Sequence, residues 1–268
     1  MVCGFESRLR HHANTINSMS RFSHVPYATD YMAIAVELVR NHFEGQLAGR
    51  RILDIPAGNG WVSDELSRGS AEAVSADINE ERSDYAQVDM ERTLPFSDGE
   101  FDAVVSLEGI EHVLNPEALF AEFARILKPG GMLVLSTPNV QNFYSRWQFF
   151  CTGYLFQFDP FNKVTRGPLE QLDRGHVSPV TLGQLLYWTE QHGMRVAQVT
   201  GGRMKKLLYL PLFLPFILLG FYWAWSDWKK TSGEERTKSM LSHYFGLRTL
   251  LSRSLVFAAV KPAQEGSG

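Results

Sequence analysis

The stretch at residues 51–61, RILDIPAGNGW, constrains the fold more than any other part of the chain. A short apolar strand runs directly into a loop with two glycines, and a helix is predicted to follow at about Val62–Arg68. Glycines let the backbone of such a loop approach a ligand closely, and the first turn of the helix offers unpaired N–H groups. The stretch therefore predicts a nucleotide-type cofactor site at the carboxyl end of a strand.

Alternating strands and helices surround this turn. Nearly continuous apolar strands separated by helices are typical of a parallel sheet covered on both faces. A helix with one apolar face is predicted within residues 27–45, and Lys128-Pro129-Gly130-Gly131 ends a helix that begins at Asn115-Pro116. The other predicted elements are strands at Glu72–Ile78, before Asp89, at Phe101–Gly109, Met132–Asn139, Met194–Thr200 and Ser254–Pro262, and a helix at Thr181–His192.

The composition of the 268-residue chain fits one large folded domain with insertions. Apolar residues make up 44% and charged residues 21%, which is ordinary for a globular protein. A formal charge of −3 and the lack of a long basic stretch give no indication of nucleic-acid binding. Cys3 and Cys151 are the only cysteines, so we expect no disulfide framework and a reducing compartment.

Acidic residues at the ends of the second and third strands add to the first loop. Asp77 stands where a carboxylate accepts ribose hydroxyls, and Asp89 stands where it can face an adenine amine. Together with LEGIEHV at residues 107–113 and RILKPGGMLVLSTPN at residues 125–139, this succession resembles the class I S-adenosylmethionine-dependent methyltransferases. The resemblance covers roughly residues 49–137. It implies that S-adenosylmethionine is bound by Asp54, Gly58, Gly60, Asp77, Asp89 and Met90.

The same resemblance implies an α/β fold with a Rossmann-like seven-stranded class I methyltransferase sheet. A lid insert follows strand five, and an apolar insert lies between strands six and seven. Pro56 departs from the family pattern, because it replaces the usual first glycine of the loop. The alternatives are a dinucleotide-dependent dehydrogenase or a purely structural domain of the same architecture. A dehydrogenase loop ordinarily reads G-x-G-x-x-G, and Ser63 stands at the third glycine position counted from Gly58.

Candidate catalytic residues lie at the exit of strand four, beside the expected methyl group. Methyl transfer depends mainly on orientation and proximity, but a hydroxyl acceptor also benefits from a general base. Glu108 and His112 are the first candidates, Glu111 has a simpler interpretation as a local ion-pairing residue, and His176 is a second choice. No metal site is expected, because the residues near His176 lack the rest of a ligand set. No G-x-S-x-G turn supports a nucleophilic serine.

Residues 138–180 are predicted to form a lid that shapes the acceptor pocket, since ligands of open parallel sheets sit beyond the carboxyl ends of the strands. Asn139, Tyr144 and Arg146 are the candidate acceptor contacts. The simpler interpretation is that the lid's aromatic residues form a small core of their own. The pattern STPN followed by YSR, TG and GH is similar to methyltransferases of bacterial surface-polysaccharide pathways.

A second insert, residues 203–253, is predicted to associate with a membrane. The run Leu207–Trp225 carries no charge and is nearly long enough to span a bilayer. Its ends join neighbouring strands of one sheet, and lysine pairs at 205–206 and 229–230 flank it, so both ends belong on the cytoplasmic side. We expect a hairpin dipping into one leaflet, followed by a basic amphipathic helix. The residues expected to break a straight helix are Pro211, Pro215 and Gly220.

The combined prediction is a methyltransferase domain at 19–200 and 254–262, on the cytoplasmic face of a bacterial inner membrane. Residues 1–18 are interpreted as a non-native or disordered leader before a true start at Met19. The expected acceptor is a lipid-linked glycan or a lipopolysaccharide or O-antigen precursor. One alternative is a quinone or other lipid. Another is a membrane-tethered S-adenosylmethionine-binding adaptor that contacts polysaccharide-assembly proteins.

Overall fold

The computed structural model describes residues 28–78, 82–158, 175–204, 208 and 210–263. The predicted leader at 1–18 and the lysine pair at 205–206 lie outside the described residues, as does a large part of the predicted lid. Within the described ranges, the domain assignments stay predictions.

Seven strands form one sheet in the order β3-β2-β1-β4-β5-β7-β6. Strands β1 to β5 pair in parallel, and β7 is antiparallel to both β5 and β6. This arrangement confirms the predicted class I methyltransferase sheet, including the insert between strands six and seven. The elements in chain order are α1 (Asp30–His42), β1 (Arg51–Asp54), α2 (Trp61–Arg68), β2 (Glu72–Asp77), β3 (Ala86–Gln87), β4 (Phe101–Leu107), a short 3₁₀ helix (Ile110–His112), α3 (Pro116–Ile126), β5 (Leu127–Pro138), α4 (Phe143–Thr152), α5 (Leu182–Gln191), β6 (Arg195–Gly201), α6 (Leu210–Ser232), α7 (Glu234–Tyr244), α8 (Leu247–Leu251) and β7 (Ser254–Val260).

Helices cover both faces of the sheet, which explains why its central strands are apolar throughout. Every residue of β4 is buried. Along β5, Leu133 and Leu135 pack on the side of α3 and α5, whereas Met132 and Val134 pack on the side of α1 and α2. This alternation follows from the two-residue period of a strand. The carboxyl ends of β1, β2 and β4 consequently meet at one edge.

The apolar insert does not form the predicted hairpin. Leu210–Ser232 is one continuous 23-residue helix, α6, with Pro215 inside it. Pro211 stands in the first turn, where a backbone N–H lacks an intrahelical partner in any case. Within the described part of the chain, α6 is the one helix that is both long enough and apolar enough to cross a membrane. No residue in its most apolar stretch is buried in the protein.

The predicted basic amphipathic helix after the insert is also different in the structure. It is divided into α7 and α8, with a break at Phe245 and Gly246. Leu241, Leu250 and Leu251 are buried against the protein itself. The apolar face that sequence periodicity assigned to a membrane therefore packs largely on the protein itself.

An ion-pair network around the buried Asp102 lies at the amino end of the sheet, beside a cavity of about 290 Å³. The Asp102 carboxylate accepts hydrogen bonds from Lys128 Nζ at 2.6 Å, from the Arg51 backbone N–H at 3.0 Å and from Arg50 at 3.0 Å. Burial raises the pKa of Asp102, but these three bonds outweigh it and leave that pKa below its usual range. The cavity lies at the opposite edge from the glycine loop, so we interpret the network as structural.

Asp102→Asn is therefore expected to lower the free energy of unfolding at neutral pH by about 1–3 kcal/mol, because it removes the charge that Lys128 and Arg50 share. A depressed carboxyl pKa stabilises the fold above the pKa of the unfolded chain, and this contribution disappears as the pH falls through the folded pKa. Urea denaturation across acidic and neutral pH should show the wild-type advantage shrinking with acidification. Asp98→Asn, at an exposed ion pair with Arg125, is the control.

Candidate active site

The loop between β1 and α2 is held open by its two glycines. Gly58 has φ +55° and Gly60 has φ +74°, a region that disfavours other residues. A side chain added at Gly58 would meet no atom within 4 Å, so open space adjoins this backbone. The Gly58 N–H donates to the Asp77 carboxylate at 2.9 Å, and Asp77 is only 4% exposed. The two predicted cofactor elements are thus in direct contact.

Asp54 has a different role from the glycines. Its carboxylate accepts hydrogen bonds from the Ser63 N–H at 3.1 Å and the Ser63 hydroxyl at 2.7 Å, both at the start of α2. Burial raises the pKa of Asp54 to about 7, although the Ser63 bonds oppose the rise. The structure therefore shows Asp54 fastening the loop to its helix. The serine at the dehydrogenase glycine position is the partner in that bond, and direct cofactor contact by Asp54 stays a prediction.

Asp89 and Met90, the residues predicted to face the adenine, are both half-buried. Asp89 accepts from the Glu91 N–H at 2.9 Å and pairs with Arg92 at 3.3 Å. Met90 lies beside Gly109, where an added Cβ would come 3.4 Å from its methyl group and 2.9 Å from Pro56 Cγ. The unusual proline of the first loop is thus accommodated by a glycine after β4.

Gly109→Ala is expected to lower the free energy of unfolding by about 1–3 kcal/mol, because its Cβ would overpack Pro56 and Met90. Urea denaturation measures this cost. Gly109→Ala should cost less free energy of unfolding in a Pro56→Ala background than in the wild type, because Pro56→Ala removes the atoms that the new Cβ meets. Purely additive effects of the two substitutions would contradict the contact.

Glu108 follows β4 in a left-handed conformation, φ +50°, which is uncommon for a residue with a side chain. Its backbone N–H donates to the Ser136 carbonyl at 3.0 Å, and the Ser136 hydroxyl donates to its carboxylate at 2.8 Å. Burial raises the pKa of Glu108 to about 7, while Ser136 and Arg253 oppose the rise. A carboxyl group with such a pKa can accept a proton at neutral pH.

Glu111 is fully buried, and among the described residues neither of its carboxylate oxygens meets a hydrogen-bond partner. The hydroxyl of Thr137 lies near enough to this carboxyl group to lower its pKa, although the two groups do not meet the geometry of a hydrogen bond. Burial first, and then the charge of Glu108, raise the pKa of Glu111 well above its usual value. Burial and the neighbouring charge therefore increase the proton affinity of Glu111.

His112 and His176 meet at the same place. Their rings are 4.9 Å apart at 87°, and His176 Nδ1 lies 2.9 Å from the Gln157 carbonyl oxygen. Ligand atoms of Glu111, His112 and His176 all lie within 4.8 Å of one another. The sequence argument that His176 lacks further ligands nearby is therefore wrong. These groups suit proton transfer, and their geometry is also compatible with a divalent cation; the expectation of no metal site stays a prediction.

Tyr31 is a member of this site that sequence reasoning missed. Burial, followed by the negative charge of Glu108, raises the pKa of Tyr31 to about 12. The charges of both Glu108 and Glu111 act on this phenol, so the start of α1 lies near the cluster. A tyrosine at the start of a helix carries no local signal of such a position.

The three predicted acceptor contacts have separate environments. Asn139 is 1% exposed, and its amide donates to the carbonyls of Thr249 at 2.7 Å and Ser252 at 3.0 Å. It therefore anchors α8, and its predicted substrate role stays a prediction. Arg146 lies 5.9 Å over the ring of Phe245. Tyr144 lines a groove of about 200 Å³ together with Asn142, Phe143, Phe156, Leu250, Leu251, Ser252 and Arg253.

The loop fits S-adenosylmethionine by its open backbone at Gly58 and by the buried carboxylate of Asp77 beside it. When bound, this cofactor supplies a methyl group on a positively charged sulfonium. The fold and this loop together define a class I S-adenosylmethionine-dependent methyltransferase. A family model described as a methyltransferase domain matches residues 27–199, and the chain belongs to this family.

Relatives with curated names share parts of the chain. The ubiquinone biosynthesis O-methyltransferase of Nitrosococcus oceani is 34% identical over 124 residues, 41% of this chain and 52% of that protein. The mitochondrial ubiquinone biosynthesis O-methyltransferase of Homo sapiens is 27% identical over 221 residues, 76% of this chain and 53% of that protein. This chain thus spans about half the length of these relatives. A SAM-dependent methyltransferase structure from Archaeoglobus fulgidus matches with a TM-score of 0.52 at 18% identity, covering 86% of this chain and 94% of that one.

Proposed function

We propose that this chain transfers a methyl group from S-adenosylmethionine to a hydroxyl group of a quinone-type or other lipid acceptor. The observation that carries the proposal is Glu108, a carboxyl group after β4 whose pKa is raised to about 7 and on which the groove residue Arg253 acts. The next residue, Gly109, lies against Pro56 of the cofactor loop. The names of the relatives, which are ubiquinone biosynthesis O-methyltransferases, support oxygen as the methylated atom and a quinone as the acceptor class.

In the proposed reaction, Asp77 and the loop glycines orient the cofactor, and Glu108 removes the proton of the acceptor hydroxyl. Glu108 is suited to this step because about half of it is ionised near pH 7. Protonated Glu111 can donate a hydrogen bond to the developing oxygen anion. The positive charge of Arg253, which already acts on Glu108, favours the same anion.

The groove supports an aromatic acceptor with an apolar substituent. Phe143, Leu250 and Leu251 form its apolar wall and belong to one buried cluster. Tyr144 and Phe156 pack edge to face, with ring centres 5.4 Å apart. Flat, apolar surfaces beside the positive charge of Arg253 suit a phenolic ring, because such a ring becomes an anion during the reaction.

The lipid-linked glycan predicted from the sequence is the competing acceptor. The curated relatives named above support the quinone alternative instead, and polysaccharide-assembly proteins as partners have no support among them. The adaptor alternative differs from both, because it requires no release of S-adenosylhomocysteine.

Release of S-adenosylhomocysteine by the purified full chain tests the proposal. The acceptors compared are an alkylated catechol and a lipid-linked saccharide fraction from bacterial membranes. We expect turnover with the catechol and a product methylated on oxygen. Turnover with the saccharide alone would overturn the acceptor class, and cofactor binding with no turnover on either acceptor would favour the adaptor.

A further inference from the structure

Helix α6 lies on the surface of the protein and packs against it along one narrow row of residues, which we call the seam. From Leu210 to Ala224, the half-buried positions recur every three or four residues, as one face of a helix requires, and Trp225 and Ser226 widen this face near its end. At the first half of the helix, Phe213 packs 4.8 Å from Phe143 and 5.6 Å from Trp147. The seam residues are Leu210, Phe213, Ile217, Gly220, Ala224 and Trp228.

The second half of α6 packs on Tyr244 of α7 and on Phe245 just after it, through the seam residue Trp228 and through Phe221, which is 41% exposed. Phe221 packs 5.2 Å from Phe245, and Trp228 packs 5.3 Å from Tyr244. Because both halves are held by polar, folded parts of the chain, the helix cannot stand across a bilayer without taking α7 with it. Helix α7 carries Glu234, Glu235 and Lys238, and these charges exclude it from hydrocarbon.

The outer face of α6 is apolar and exposed to an extent that a soluble protein rarely shows. Trp223 is 74% exposed, Phe216 64% and Leu212 67%. Helix α4 extends the same surface, because Trp147 touches Phe213 and is followed by exposed Phe149 and Phe150. Contiguous patches of this kind mark interaction sites. The full set on α6 is Leu212, Leu214, Phe216, Leu218, Leu219, Phe221, Tyr222 and Trp223.

We propose that this outer face docks on an anionic lipid surface with α6 lying in the plane of the membrane. Charge complementarity identifies the occupant: the sequence places the lysine pair 205–206 directly before the uncharged run and the pair 229–230 shortly after it, against one acidic residue within 205–230, Asp227. Lys229 also pairs with Glu234 at 3.6 Å, where both side chains are about half exposed. Tyr222 and Trp223 suit the boundary between headgroups and acyl chains. The in-plane orientation replaces the hairpin expected from the sequence, and it requires no particular acceptor.

Flotation of the full chain with vesicles tests the docking. We expect binding to vesicles of phosphatidylcholine with phosphatidylglycerol and weaker binding to phosphatidylcholine alone. The double variant Phe216→Ser, Trp223→Ser should lower the partition coefficient at least about tenfold, because two exposed aromatic anchors are lost. Tyr187→Ser on α5, where the side chain is 64% exposed, is the matched control and should bind as wild type. Circular dichroism verifies that each variant is folded.

Depth measurements distinguish the orientation. With Cys3 and Cys151 replaced by serine, single cysteines at positions 212 and 223 carry an environment-sensitive fluorophore. These positions lie on the same helix face about 16 Å apart along the axis. Equal quenching by lipids labelled at one depth supports the in-plane helix, and a depth difference near that length overturns it. Vesicle binding by neither wild type nor variant, with wild type dimeric and the double variant monomeric, would assign the face to a second copy of the chain instead.

Discussion

Replacing Asp77 by alanine is expected to weaken S-adenosylmethionine binding by about 10–100-fold. The carboxylate stands at the end of β2, nearly buried, and holds the Gly58 N–H of the cofactor loop. Its position lets it accept the hydroxyls of a ribose, and a hydrogen bond to a charged group contributes about 1.5–3 kcal/mol. Isothermal titration calorimetry with S-adenosylhomocysteine measures the loss without any need for the acceptor.

Two further variants make this result specific. Asp98→Ala removes an exposed carboxylate paired with Arg125 and should leave the affinity unchanged. Gly58→Arg should abolish binding while the chain still folds, because the new side chain enters the open space beside the loop. Wild-type affinity in either Asp77→Ala or Gly58→Arg would show that the cofactor site lies elsewhere.

The parallel part of the sheet and its cofactor edge could be predicted because the sequence patterns that indicate them are local. Alternating strands and helices define the parallel part, and glycines after β1 with acidic residues after β2 and β3 locate the cofactor edge. Asp77 illustrates this, since a residue that ends a parallel strand must lie at the same edge as the residues that end its neighbours. No knowledge of distant contacts is needed for that inference.

The insert was mispredicted because prolines were counted as breaks without regard to their position. Pro211 falls in the first turn of α6, and Pro215 removes one hydrogen bond from a helix that packs along α4, α8 and α7. Tertiary packing therefore outweighs a local penalty of about 3 kcal/mol. Asn139 shows the same limit, since its partners Thr249 and Ser252 lie more than 100 residues away in sequence.

For a similar reason, only some members of the cluster of candidate catalytic residues could be predicted from the sequence. Glu108 and His112 belong to one continuous motif after β4, so their proximity to the cofactor follows from the motif. Tyr31 on α1 and His176 near the end of the predicted lid reach the cluster only through the tertiary fold. Nothing in the periodicity of their own segments places them there.

Glu108→Gln is expected to have the largest effect on turnover, lowering kcat for an alkylated catechol by about 10²–10⁴-fold. Glutamine has nearly the same size and still accepts the hydrogen bond from Ser136, so the site keeps its shape. It cannot accept the acceptor's proton. Glu117→Gln, at an exposed position in the first turn of α3, is the matched control and should leave kcat unchanged.

The pH dependence gives this prediction its sharpest test. Burial raises the pKa of Glu108 to about 7, so the wild-type rate should rise with pH around neutrality and level off above it. Because the pKa of Glu108 is raised in the folded state, the folded protein keeps this proton up to a higher pH than the unfolded chain does. Any stability that depends on this proton is therefore present at acidic pH and is lost as the pH rises through 7. Glu108→Gln removes both dependences, and it should be at least as stable as wild type at alkaline pH.

Glu111→Gln completes the argument within the same cluster. Burial and the charge of Glu108 raise the pKa of Glu111 well above its usual value. An amide is a close substitute for a protonated carboxyl group, so we expect only a small change in kcat. A Glu108→Gln enzyme that keeps wild-type kcat and its rising pH limb would exclude Glu108 as the base. A Glu111→Gln loss as large as that of Glu108→Gln would show instead that ionised Glu111 takes part, as it would in a cation site shared with His112 and His176.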